Sequence, residues 1–321
     1  MTDLKKPLSI YVHVPFCEKR CPYCDFHSYE NGGQEFYFFQ TAKDIIEKSA
    51  ELKDYCIQSI YFGGGTPSFL DEKYLCGILS TIYEVCFVDP YAEITIECNP
   101  NSFTEEKAVL YSHYGINRVS IGVQSFCDET LKILGRQHSA QQAKDAIKLA
   151  CEFFDNVSID LMYGIPSGKI ILPEEYLSII QHVSAYCLES DKFEKVSDEQ
   201  CLKEQKQIQK CLANHFIERY EVSNYAMLGF DCIHNMNYWE CGEWIGFGEG
   251  AKSHFEEEWD IEDKVMMGLR LMQGIHISLV QDKIDVVNEL VLGGFLEINN
   301  YRVSCTDKGF DVLSAVTVKL I

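Results

Sequence analysis

Three cysteines, Cys17, Cys21 and Cys24, fall within eight residues as C-x3-C-x2-C in the run FCEKRCPYCDF, Phe16 to Phe26. Cysteines this close together have the spacing of ligands to one centre. Three thiolates cannot complete the coordination of a four-iron cube. The iron left open is what a cluster needs in order to bind a substrate or cofactor directly. The competing chemistry is a closed, tetrahedral Cys3His zinc site with His27 as the fourth ligand. The remaining cysteines, among them Cys56, Cys98, Cys151 and Cys187, are scattered through apolar segments. Reduced cysteine used in this way is a small hydrophobe, which predicts a reducing compartment and sensitivity to oxygen.

A second group of residues lies further along. The turn Gly63, Gly64, Gly65, Thr66, Pro67 lets backbone N–H and C=O groups approach a polar ligand closely. Glu97, Gln124 and Asp160 follow at the ends of later apolar runs, and Arg136 comes after the Gln124 turn. A carboxylate pair, an amide and a guanidinium together match an ammonium, a carboxylate and ribose hydroxyls. Taken singly, each is equally a cap or an ion pair.

The elements that must position these groups are βα units. Short β-branched and aromatic runs at about 8–14, 58–62, 93–97, 118–122, 157–161 and 183–188 read as strands. Helical periods follow at about 35–52, 72–86, 104–111, 140–153, 173–180 and 198–213. Six such repeats predict an α/β fold, a partial (β/α)6 barrel with a parallel sheet. Barrel chemistry gathers in the loops that follow the strands, which is where the singled-out residues fall. The regular alternation stops near Glu221, so the expected domains are 1–221 for the barrel and 222–321 for a small C-terminal α+β domain. The latter has two helical segments and a hairpin at Gly294–Thr306, the order found in a winged helix.

Composition narrows the function classes. With 321 residues, 46% of them hydrophobic, the chain can bury a large core. A formal charge of −21 without a block of Lys and Arg argues against a nucleic-acid partner. The acidic run Glu256 to Asp263 reads as a solvated face before a helix. No apolar run approaches the roughly 20 residues of a bilayer crossing, and the first ten residues do not resemble a signal peptide. Stable membrane insertion is therefore not expected, and a cytoplasmic location is.

The ordered segments YVHVPFCEKRCPYCDF, YFGGGTPS, IECNP, RVSIGVQSF, LGRQH and DLMYGIP resemble the radical S-adenosylmethionine (SAM) superfamily, and within it the HemN/HemW group. HNMNYW and GFGEGA extend the match toward the C-terminus. The resemblance implies a [4Fe-4S] cluster on Cys17, Cys21 and Cys24. Its open iron would be chelated by the amine and carboxylate of SAM, and an electron from the cluster would cleave the sulfonium. It further implies that Tyr11, Tyr23, Gly64, Gly65, Thr66, Glu97, Gln124, Arg136 and Asp160 surround the cofactor. Tyr11 and Tyr23 read equally well as barrel packing.

Two departures separate the chain from the coproporphyrinogen oxidases of that group. Phe26 stands where they carry a further cysteine, and the first strand begins at about residue 8, without their long N-terminal extension. Both match the HemW-like branch, which implies haem or porphyrin binding, a haem-acceptor protein as partner, and a reductant such as flavodoxin or ferredoxin. His234 of HNMNYW is the implied haem ligand, with Cys232 as an alternative. The other functions to be weighed are porphyrinogen decarboxylation and radical chemistry on an unrelated substrate. The stretch from Gly168 to Ile217 is short for the group, and Lys169 follows IPSG where a Gln is usual. An abbreviated outer barrel is expected there.

Overall fold

The computed structural model describes residues 5–30 and 32–321. Its main sheet is built from strands β1 (Lys6–Val14), β4 (Tyr55–Gly64), β5 (Val88–Cys98), β6 (Arg118–Gln124), β7 (Asn156–Tyr163) and β8 (His182–Cys187), with β2 (Phe16–Cys17) and β3 (Tyr29–Glu30) forming a separate two-residue ladder. These six strands are parallel and adjacent in chain order. The helices between them are α1 (Gln34–Lys48), α2 (Glu72–Val85), α3 (Glu105–His113), α4 (Asp128–Ile133), α5 (Ala140–Phe153), α6 (Glu174–Leu177) and α7 (Asp198–Ala213). Parallel pairing requires such crossovers, so the expected six-unit partial barrel is what the chain forms.

Alternation along the strands shows how the barrel is filled. Ile10, Val12, Ile60, Phe62, Ile94, Ile96, Val119, Ile121, Val157, Ile159 and Val183 belong to the main core. The intervening positions carry Ser9, Tyr11, Ser59, Tyr61, Glu93, Glu97, Arg118, Ser120, Ser158, Asp160, His182 and Ser184. Successive strand side chains point to opposite faces, so one apolar face meets the helices while a polar face lines the lumen. Buried polar groups need partners, and the lumen supplies them. Ser59 Oγ donates to Ser9 Oγ at 2.8 Å, and Ser158 Oγ lies 2.8 Å from His182 Nδ1.

The helices are sealed by local chemistry. Ser139 and Gln142 form a capping box at the start of α5, whose Ala143, Ala146, Ile147 and Ala150 are buried at helical spacing. Asp71 caps α2 by accepting from Lys73 N–H. Fully burying each Ile or Leu of α2 contributes about 1.5–3 kcal/mol. Helix α6 has only four residues, in keeping with an abbreviated outer barrel.

The expected domain division at 221/222 falls inside the barrel sheet. Strands β9 (Glu218–Arg219) and β10 (Asn224–Ala226) extend it beyond β8, while β11 (Trp244–Phe247) returns to pair in parallel with β1. Helix α8 (Ile233–Trp239) joins these strands and packs against β4. A separate core begins with Val265. It comprises α9 (Ile261–Gly268), β12 (Ile275–His276), α10 (Ile284–Leu292), β13 (Leu296–Asn299), β14 (Arg302–Cys305), α11 (Asp307–Phe310) and α12 (Leu313–Leu320). The β13–β14 hairpin turns through Asn300 and Tyr301, both with positive φ, a two-residue turn whose twist suits a hairpin. A three-stranded sheet in the order β12-β14-β13 completes the expected winged-helix-like α+β unit. Glu256, Glu257 and Glu258 are exposed, and Asp260 accepts from Asp263 N–H to cap α9.

Candidate active site at the barrel mouth

The loop after β1 leads into β2, whose Phe16 and Cys17 pair with Tyr29 and Glu30. Gly65 N–H donates to Val14 O and Thr66 N–H to Phe16 O, both at 2.8 Å, stitching the glycine turn after β4 to the cysteine loop. Thr66 Oγ1 lies 3.6 Å from Cys17 Sγ, and Arg136 Nη1 lies 3.5 Å from Cys21 Sγ. Burial raises the Cys24 thiol above its ordinary value, and the neighbouring Cys21 and Cys17 thiols add to the shift.

All three cysteines open onto one cavity of about 570 Å³ at the C-terminal ends of the strands. Tyr23, Gly64, Gly65, Thr66, Glu97, Gln124, Arg136 and Asp160 line it as well. Tyr11 does not. It sits below, its ring centroid 6.3 Å from that of Tyr61 and 6.2 Å from that of His234, with its hydroxyl 3.0 Å from His13 Nδ1. Tyr11 stands in register with Tyr61 of β4, and its side chain packs against that ring without lining the cavity itself.

Glu97 accepts from Tyr61 O–H at 2.8 Å and from Gly64 N–H at 3.2 Å. Burial, reinforced by the Asp160 charge, pushes its carboxyl up to about 7 against those two bonds. Asp160 accepts from Ser120 Oγ at 3.1 Å, and burial lifts it above the ordinary carboxylate value despite bonds from Ser184 and Ser120. Arg136 donates from Nη2 to Gly122 O at 2.8 Å, while its buried Nε has no partner among the described residues. Burial opposes its charge, but Tyr23 and Cys21 outweigh burial and keep it protonated. At Gly122 a Cβ would lie 3.1 Å from Gln124 Nε2 and 3.3 Å from Arg136 Nη2, so glycine leaves these two side chains room. Gln124 itself has φ +62°, a left-handed conformation rare for residues other than glycine.

Among the described residues no three His, Cys, Asp or Glu side chains close on a single metal ion. Three cysteines opening onto one cavity suit a cube that takes one thiolate per iron and leaves a fourth iron facing the cavity, whereas a structural zinc site is closed around four ligands. His27, the fourth ligand a zinc site would need, lines no part of the cavity and faces Glu249 Oε1 at 3.2 Å.

His234 is not at the mouth. It is 1% exposed in the lumen, with Nδ1 2.9 Å from Ser59 Oγ and Nε2 2.8 Å from Tyr238 O–H. Cys232 is fully buried with its thiol 3.3 Å from Glu93 Oε1. Neither expected haem ligand is accessible, because α8 plugs the lumen instead of lying on a separate domain. Residues the sequence reading passed over include Tyr61, Arg118, Ser120, Ser184, Tyr186 and Asn235, all on the cavity wall. For Tyr61, Ser120 and Arg118 the signal was the two-residue step back from Gly63 and Gly122 along their strands, whereas Ser184 and Tyr186 reach the wall from β8 and Asn235 from α8.

Fold and site together define a class: a radical SAM protein, matched over residues 11–168 by the model of the Radical SAM superfamily. The chain is 30% identical over 321 residues to "Heme chaperone HemW" of Buchnera aphidicola subsp. Schizaphis graminum, covering 95% of this chain and 81% of that one. It is 36% identical over 265 residues to "Heme chaperone HemW" of Escherichia coli, covering 76% and 69%. The fold matches the solved structure of coproporphyrinogen III oxidase (HemN) from Escherichia coli with a TM-score of 0.79 at 18% identity, over 98% of this chain and 90% of that one. The chain belongs to the HemW family of the radical SAM superfamily. A [4Fe-4S] cluster and SAM are the cofactors of that superfamily. No helix among the described residues is long and apolar enough to cross a membrane.

Proposed function

We propose that this protein is a haem chaperone with a radical SAM site: it binds haem in the cytoplasm and passes it to acceptor proteins. The observation that carries the reading is the alignment with haem chaperones over 95% of the chain, through the barrel and into the second core. Phe26, where the oxidases carry a cysteine, stands 65% exposed on the cavity wall and supports the chaperone branch over the oxidase.

Cys17, Cys21 and Cys24 would hold the cluster. The unpartnered Nε of Arg136 fits a carboxylate, the Glu97 carboxylate an ammonium, and Asp160 the ribose hydroxyls. When bound, the cluster supplies an electron for cleaving the sulfonium of SAM, from a donor such as flavodoxin or ferredoxin. The chain's own part is orientation: Gly64 and Tyr61 fix Glu97, Gly122 and Cys21 fix Arg136, and Ser120 fixes Asp160. Haem iron fits neither His234 nor Cys232 as they stand, both being buried with their ring nitrogens and thiol engaged.

A haem titration of the anaerobically reconstituted protein, followed by its Soret band, tests the reading. Saturation near one haem per chain is the expected result. Absence of specific binding, or conversion of coproporphyrinogen to protoporphyrinogen at a useful rate, would sink it.

SAM affinity is expected to depend on pH through Glu97. Burial holds its carboxyl up at about 7, above the ordinary glutamate value, so it is neutral through mildly acidic pH and becomes an anion only above about 7. An ammonium binds the anion, so affinity should rise as pH climbs from about 6 to 8 and flatten in Glu97→Gln. Equilibrium dialysis with labelled SAM checks this. An unchanged slope in Glu97→Gln would remove Glu97 from the ammonium site.

A further inference from the structure

The barrel lumen beneath the cavity is closed by α8, and the contacts of that helix lead upward to the cofactor wall. Glu93 on β5 receives the helix start, accepting from Ile233 N–H at 3.0 Å, from His234 N–H at 3.1 Å and from the Cys232 thiol at 3.3 Å. Arg118 Nε lies 3.9 Å from the same carboxylate. From this seat the His234 ring lies against Tyr61, with centroids 4.9 Å apart and planes inclined by 27°. Tyr61 O–H donates to Glu97 Oε1, and Glu97 Oε2 accepts from Gly64 N–H in the glycine turn.

The hydrogen-bond directions fix what the imidazole can do. Ser59 Oγ gives its proton to Ser9, so it accepts from His234 Nδ1–H, and Nε2 must then accept from Tyr238 O–H. Iron ligation needs a ring-nitrogen lone pair, and the one available is already engaged. Burial, followed by the nearby Arg118 charge, holds the imidazole down at about 3 and therefore neutral, in agreement with this arrangement.

We propose that His234 is a positioning residue, holding Tyr61 and through it Glu97 at the wall of the SAM cavity, and is not a haem-iron ligand. The inference rests on the reading of Glu97 as the ammonium site. It reassigns the part of HNMNYW that the family resemblance gives to haem.

Two variants test it on the cluster-reconstituted chain, each measured for SAM affinity by equilibrium dialysis and for haem affinity by Soret titration. His234→Ala is expected to weaken SAM binding about tenfold, the lower end of what losing a group that orients a metal ligand costs at metal sites. Its haem affinity should match wild type. The pH midpoint of SAM binding should also rise, because Glu97 loses the Tyr61 bond that opposes its protonation. Tyr238→Phe removes only the hydroxyl at Nε2 and keeps the ring in place. If His234 positions Tyr61, this variant weakens SAM binding by a smaller factor in the same direction and leaves haem affinity alone. If His234 ligates iron, it frees the lone pair and tightens haem. Loss of haem binding in His234→Ala with SAM affinity intact, or tighter haem in Tyr238→Phe, would overturn the proposal. Tyr238→Phe decides alone where His234→Ala does not fold. A wild-type protein that binds SAM but no haem overturns the proposed chaperone function and leaves the SAM measurements to decide this inference. Failure of the wild type to bind SAM overturns both.

Discussion

Cys21→Ala is expected to leave the purified, reconstituted protein with almost no iron or labile sulfide, against about four of each per chain in the wild type. The three cysteines are not equivalent in their support. Cys17 is held in a backbone ladder and faces Thr66 Oγ1, whereas Cys21 is partly exposed with Arg136 Nη1 3.5 Å from its sulfur. Removing it leaves two thiolates for a cube that already has one open iron. It also leaves the Arg136 guanidinium facing the cavity without the thiolate that helped keep it protonated. The fold should be almost untouched. Cys21 lies outside the main hydrophobic core, and a substitution there should change stability by no more than about 0.5 kcal/mol. Iron and sulfide analysis with a denaturant titration separates the two effects, and Cys151→Ala serves as a control because its thiol donates to Ile179 O and lines no part of the cavity. Retention of full iron by Cys21→Ala would remove this loop from the cluster site. Loss of one zinc per chain with a large fall in stability would return the balance to a structural zinc centre.

The parts of the fold that were legible in the sequence are those whose signals are local. Helices α5 and α7 have the bounds read from periodicity because Ser139 and Ser197 mark their starts with side-chain caps. The strands were found from their apolar cores, and all six but β8 came out longer than expected, since paired ends such as Gly63 and Gly64 of β4 carry no β propensity of their own. What escaped is non-local. The pairing of β11 with β1 joins Trp244 to Ser9 across most of the chain, and no local pattern announces it. That pairing draws α8 into the lumen, so one non-local contact puts the expected domain boundary inside the barrel sheet and buries His234. A histidine in an aromatic run has the chemistry of a haem ligand, but whether its lone pair is free depends on Ser59 and Tyr238, and only packing reveals that. The candidate site itself was legible because its residues follow successive parallel strands, where one strand end predicts the next. Tyr11 shows the limit of that rule: it stands in register with Tyr61, which lines the cavity, yet packs against that ring and does not line the cavity itself.

Gly65→Ala is expected to damage both the fold and the cluster site, although it adds a single methyl group. A Cβ at Gly65 would lie 2.8 Å from Phe16 O, 2.9 Å from Val14 O and 3.0 Å from Pro15 C. All three are backbone atoms, so no side chain can swing aside. They also belong to the short link between β1 and Cys17, which Gly65 N–H and Thr66 N–H hold by 2.8 Å bonds to Val14 O and Phe16 O. Relief therefore requires the glycine turn and the cysteine loop to separate, lengthening those bonds and shifting Cys17 away from Thr66. Overpacking of this kind costs about 1–3 kcal/mol, which a urea titration would register as an earlier midpoint with an unchanged slope. Because bound iron also stabilises the native state by mass action, the comparison is made between apo forms of both proteins. Iron incorporation into the variant should fall as well, since its loop no longer presents Cys17 at the spacing the other two thiols require. An apo variant as stable as the apo wild type, filling with iron to the same level, would show that the turn can yield without moving the loop. The close stitching of β4 to the cysteine segment would then have no part in setting the site.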